Sequence, residues 1–111
     1  MDARVERRIR ARQTRVEHEG KTFIVRRPTD WEVLDMGEAK QMDLLEKFVD
    51  GWDGVTDADL FPGGDTAPAE FSKELFIDWI QDNPEFWSPI SAAITKGYQE
   101  HAGMLADAKK K

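Results

Sequence analysis

The sequence predicts a mainly α-helical α+β domain, with a small N-terminal β-hairpin followed by a compact body of three to four helices. Three observations carry this. Alternating apolar residues flank Glu19-Gly20, apolar residues recur at helical spacing between Trp31 and Trp52, and two further amphipathic stretches follow Ser72 and Ser88. A chain of 111 residues is sized for one domain, and four Trp with six Phe supply bulky material for its core. The absence of Cys excludes disulfides and thiolate metal sites and fits a reducing cytosol. No apolar run reaches the roughly 20 residues that span a bilayer, and no signal-peptide pattern opens the chain. A soluble cytoplasmic protein with no membrane partner is expected.

Charge is segregated along the chain. Residues 1–15 hold six Arg against Asp2 and Glu6, a net of +4, whereas residues 30–100 hold seventeen Asp and Glu against four Lys, a net of −13. Such a body repels nucleic acid and anionic lipid and favours basic protein partners.

Residues 1–13 carry Arg4, Arg7, Arg8, Arg10 and Arg12, with only Val5 and Ile9 at helical spacing. A helix there is marginal alone, so a flexible basic arm is expected ahead of a globular domain at 14–106. The arm reads either as a phosphate- or partner-binding element or as a solvated terminus; the second is favoured, because arginines without an aromatic platform are a weak nucleic-acid signal. The hairpin, over 15–27, pairs His18 with Lys21 and Val16 with Phe23, which puts Val16, Phe23 and Val25 on the buried face. Its edge is a plausible assembly surface. Thr29 and Glu32 form a capping box that starts a helical region over 30–50, either continuous or broken near Gly37 with a second helix from about Ala39. Trp31, Leu34, Met42, Leu45, Phe48, Val49 and Trp52 are its apolar stripe, and Trp31, Phe48, Trp79 and Trp87 are assigned to the core.

Gly51 is the expected helix stop, and Gly51, Trp52 and Gly54 are read as a structural anchor: a packing indole between two backbone hinges. A loop follows over 53–70, with Leu60 and Phe61 as the residues that would tuck back onto the core. Ser72 caps a helix over 72–82, stapled by Phe71 and Phe76. Ser88, followed by Pro89, caps a last helix over 89–106, whose Ala and Gly residues permit close helix approach. Residues 107–111 read as a frayed tail.

Catalytic and metal chemistry find little support. His18 and His101 stand apart from other ligand types, and no nucleophile elbow, phosphate loop or dinucleotide fingerprint occurs. Asp53, Asp57, Asp59 and Asp65 do not fall at EF-hand spacing, so turn formation is the better reading than calcium. No enzyme activity, cofactor or metal is expected.

The hairpin end Phe23-Ile24-Val25-Arg26-Arg27-Pro28-Thr29, the stretch Gly51-Trp52-Asp53-Gly54-Val55-Thr56-Asp57 and the opening Phe71-Ser72-Lys73-Glu74-Leu75 resemble, over about residues 15–105, the tail assembly chaperones of long-tailed bacteriophages and prophages. The resemblance implies a small helical non-enzyme in the bacterial host cytoplasm, absent from the mature virion. Such proteins keep the tape measure protein soluble while tail tube protein polymerises around it, and they tend to form homo-oligomers. Nucleic acid is disfavoured as a partner. A frameshifted extended form is a family habit, and Lys109-Lys110-Lys111 would suit a slippery adenine run. The alternative is a nucleic-acid-associated or regulatory phage protein acting through the Arg-rich arm.

Overall fold

A computed structural model of the protein describes residues 1–109. Its elements run α1 (Ala3–Ala11), β1 (Gln13–His18), β2 (Lys21–Arg26), α2 (Asp30–Met36), α3 (Gln41–Phe48), β3 (Val49–Asp53), α4 (Asp57–Leu60), α5 (Lys73–Gln81), a 3-10 turn (Pro84–Phe86) and α6 (Trp87–Lys109). The α+β class stands, but with six α-helices among the described residues rather than three or four, and an antiparallel sheet of order β1-β2-β3 rather than a lone hairpin.

The hairpin has the expected register, His18 opposite Lys21 and Val16 opposite Phe23. Glu19 and Gly20 both take positive φ, 50° and 78°, the primed turn whose twist matches that of the flanking strands. Phe23 and Val25 are fully buried and Val16 is half-buried. An isolated hairpin is marginal in water, and β3 supplies what this one lacks by pairing with β2.

That third strand corrects the reading of Gly51. The helix ends at Phe48, and Val49 to Asp53 continue as strand, with Trp52 opposite Phe23, Gly51 opposite Ile24 and Val49 opposite Val25. Asp50 is left over as a bulge. Gly51 is therefore a buried strand residue, not a helix stop.

The helical region before it divides as one of the two expected forms. The Thr29–Glu32 box caps α2, which stops at Gly37 with φ 57°; α3 then begins at Gln41, where the Asp43 carboxylate accepts from the Lys40 N–H at 2.9 Å. Leu45 and Phe48 are buried, but Trp31 and Leu34 are 71% and 77% exposed, which removes Trp31 from the core. The inward residues of α2 are instead Val33 and Met36, beside Leu44 and Ile94.

The segment expected as a loop contains α4 and a single bridge between Thr56 and Pro68. Leu60 packs on the core and Phe61 stays exposed. Ser72 caps α5 by accepting from the Leu75 N–H at 3.1 Å, and the Phe71 and Phe76 rings of the staple lie 6.1 Å apart.

Ser88 is not a cap. Asn83-Pro84 opens a 3-10 turn that runs straight into α6 at Trp87, so Ser88 and Pro89 lie in the first turn, where the missing proline N–H leaves no helical bond unmade. Trp87 is half-buried and its indole N–H donates to the Ile80 carbonyl, joining α5 to α6. Residues 107–109 of the expected tail belong to α6, and residues 110–111 lie outside the described residues.

The sheet's inner face packs on α5, the 3-10 turn and α6. Phe23, Phe76, Trp79 and Phe86 meet there at centroid distances of 5.3–6.1 Å, with Ile90 and Ile94 of α6 fully buried beside them. Gly97 lets α6 reach the end of β2, since a Cβ there would stand 3.1 Å from the Cβ of Arg27.

Candidate functional site

Trp52 is 8% exposed and sits at the junction of the sheet with the 57–70 segment. Its ring meets Phe71, Phe76 and Trp79 at 5.3, 6.3 and 6.1 Å. Its Nε1–H donates to the Ala69 carbonyl at 2.8 Å, and the Ala69 N–H in turn donates to the Val55 carbonyl at 2.9 Å. The indole thus ties a long connection to the core, and a second brace sits nearby: the Asp59 carboxylate accepts from the Thr56 N–H at 2.8 Å and faces Lys21 at 3.4 Å. Those contacts hold Asp59 below the usual carboxylate pKa, the Thr56 N–H foremost. Gly54 takes φ +83°, and a Cβ there would stand 3.0 Å from the Gly20 carbonyl, which locks the end of β3 over the hairpin turn. Gly51 and Trp52, both buried, and the exposed Gly54 form a structural joint.

The exposed chemistry lies elsewhere. Trp31 and Leu34 stand three residues apart on the outer side of α2, so they present one apolar face. Asp30 and Asp35, one turn from Leu34 and Trp31 respectively, are exposed on the same helix, and Glu38 is exposed just past its end. The helix that carries this face is held at its start. Glu32 accepts from the Thr29 N–H at 2.9 Å and faces the Arg26 guanidinium at 3.5 Å. Burial pushes its carboxyl up, but the Thr29 N–H and Arg26 outweigh burial and leave it below its ordinary pKa. Asp30 accepts from the Tyr98 hydroxyl at 3.0 Å and lies 3.4 Å from His101 Nε2, which fastens α2 to α6; that hydrogen bond raises the Tyr98 phenol pKa. An exposed Trp on a fixed helix is a frequent centre of protein–protein contacts.

The segment expected as a flexible arm is helical from Ala3, capped by the Asp2 carboxylate, with no buried residue. Arg4 folds back on Asp2 at 2.9 Å, and Arg7, Arg8 and Arg10 are exposed. Arg12 differs from them: it follows α1 and lies beside the sheet, opposite Arg27, whose N–H donates to its carbonyl at 3.0 Å. The structure thus splits the five arginines grouped by sequence. Reading Arg26-Arg27 only as the end of a strand missed this pairing; with Gln13 opposite Arg26 fixed by the hairpin register, Arg12 must face Arg27.

Among the described residues no cluster of three or more His, Cys, Asp or Glu could hold a metal ion. His18 stacks edge-on against Phe86 at 5.4 Å, so it packs more than a solvated surface imidazole would. No helix among the described residues is long and apolar enough to cross a membrane. No protein family, curated protein or solved structure matches the chain.

Proposed function

We propose that this chain is a non-enzymatic phage tail assembly chaperone, which holds the tape measure protein soluble in the host cytoplasm and is absent from the finished virion. The sequence resemblance motivates the reading, and the exposed Trp31–Leu34 face of α2 is the observation that carries it. A capped helix with an exposed indole and leucine, and with the exposed carboxylate of Asp35 one turn from Trp31, suits amphipathic helices whose apolar stripe is bordered by basic residues. The acidic body keeps the complex soluble, and tail tube protein is a second partner on this reading. Self-association is part of the same proposal.

The test is pull-down of a phage tape measure protein, sought as a very long reading frame downstream of this gene, with wild type against Trp31→Ala/Leu34→Ala. The proposal requires capture by the wild type and loss in a variant that stays folded. The second reading, nucleic-acid association through the basic N-terminal segment, draws on the exposed arginines of α1. It requires DNA binding that weakens steeply with salt and disappears when residues 1–13 are deleted.

A further inference from the structure

A cleft of about 650 Å³ lies between β1 and the C-terminal half of α6. Arg12 and Arg27 both line it, and they are cross-strand neighbours. Like charges directly opposite in an antiparallel pair repel. Arg12 Nε is sealed from solvent without a hydrogen-bond partner, an arrangement native interiors seldom leave uncompensated. Neither guanidinium has a carboxylate within ion-pair distance among the described residues. Burial, and then the charge of Arg12, hold the pKa of Arg27 below its ordinary value. Arg15, which faces Asp53 at 3.3 Å, and Lys96 bring the lining to four cations, and the acidic lining residue, Glu100, stands 4.0 Å from that lysine. The Arg27 guanidinium is held by the Pro28 carbonyl at 3.0 Å, so a protein of net charge −6 gathers an excess of positive side chains in one concave place.

The rim of the cleft is the open edge of the sheet, because among the described residues β1 pairs only with β2. In a two-residue hairpin the closing pair, His18 and Lys21, is hydrogen-bonded, and every second pair after it is bonded likewise. The Arg27 to Arg12 bond falls in this phase. Gln13, Arg15 and Glu17 then turn their N–H and C=O groups outward, at the spacing of another strand. Val16, Ala93 and Met104 supply apolar surface beneath.

We propose that this cleft takes an extended acidic peptide segment of a protein partner, which adds to β1 as a fourth strand and sets a carboxylate against the guanidiniums of Arg12 and Arg27. A nucleic-acid backbone fits less well. It cannot use the main-chain donors and acceptors of a strand edge, and the −13 charge of residues 30–100 opposes a polyanion. The inference rests on the cleft alone and stands or falls independently of the tape measure reading, which concerns the opposite kind of client on α2.

The probe is a short fluorescein-labelled peptide of alternating Thr, Val and Asp, titrated into the full chain by anisotropy and followed by amide NMR. The wild type should bind, with shifts concentrated at Gln13, Arg15 and Glu17. Arg12→Gln/Arg27→Gln should weaken binding by about tenfold or more, as expected for the loss of charge-assisted hydrogen bonds. Arg15→Pro, which deletes an outward N–H, should abolish binding where Arg15→Ala keeps it. A peptide with Lys in place of Asp makes the charge test on the unaltered protein and should not bind. Absence of binding, equal binding by the double variant or the Lys peptide, or peptide shifts away from β1 would overturn the proposal. So would oligothymidylate displacing the peptide from the cleft.

Discussion

Replacing Trp52 by Phe isolates the hydrogen bond that pins residues 57–70 to the core. The substitution keeps an aromatic ring against Phe71, Phe76 and Trp79 but removes the Nε1–H that donates to Ala69 at 2.8 Å. Leaving the half-buried Ala69 carbonyl without its donor costs ~1–2 kcal/mol, and the smaller ring adds about 1 kcal/mol in a site that closes imperfectly. A total of about 2–3 kcal/mol follows, against about 3–5 kcal/mol for Trp52→Ala. For a domain of this size that is a fall in Tm of roughly 10–20 °C. Urea denaturation should show a lower midpoint with an unchanged slope. Hydrogen exchange should show faster loss of the Ala69, Asp57 and Ala58 amides, which now donate to Val55, Ala67 and Asp65. Core strand amides should accelerate only by the global change. If Trp52→Phe leaves Tm and those three amides unaltered, the indole bond does not hold the connection and the joint must be sought in the ring contacts alone.

The remaining predictions concern backbone, charge and surface. Gly54→Ala should cost about 1–2 kcal/mol, because a positive φ and the Gly20 carbonyl both oppose a Cβ; Gly51→Ala should cost less, since only the flexible end of Ile24 must move, and paired thermal melts rank the two. Glu32→Gln should lower stability by about 1 kcal/mol at neutral pH through the loss of its charged capping and ion-pair contacts. The folded pKa of Glu32 is depressed, so its contribution is present above the ordinary carboxylate range and lost as pH falls through the folded value. The gap between wild type and variant should therefore close in acid, and a gap independent of pH would contradict this assignment. Trp31→Ala/Leu34→Ala should change Tm by only a few degrees, because both side chains are exposed.

Much of the fold was legible in local chemistry. The hairpin register followed from Glu19-Gly20, and the starts of α2 and α5 followed from hydroxyl caps whose partners lie within the next turn. β3 was hidden for a physical reason. The bulge at Asp50 sets its two inward residues, Val49 and Trp52, three positions apart, and that spacing continues the stripe of Leu45 and Phe48 as a helix would. In α2 the sequence offers two stripes, Trp31 with Leu34 and Val33 with Met36. Bulk favours the first, whereas packing against α3 and α6 selects the second. Ser88-Pro89 has the composition of a helix start, but Asn83-Pro84 had already begun the turn. The exposed indole could not be read without the packing of α2, since it depends on which face of that helix is covered, whereas the pairing of Arg12 with Arg27 was implied by the hairpin register and needed only its extension by one residue on each strand.

As proposed above, α2 is the client surface of a chaperone. It is tested by co-expression with a phage tape measure protein, the longest open reading frame sought downstream of this gene, scored by the soluble fraction of that protein with wild type and with Trp31→Ala/Leu34→Ala. The wild type should raise that fraction and co-purify with it, and the folded double variant should do neither. A tape measure protein that stays insoluble with the wild type, or is held in solution equally by both, would contradict it.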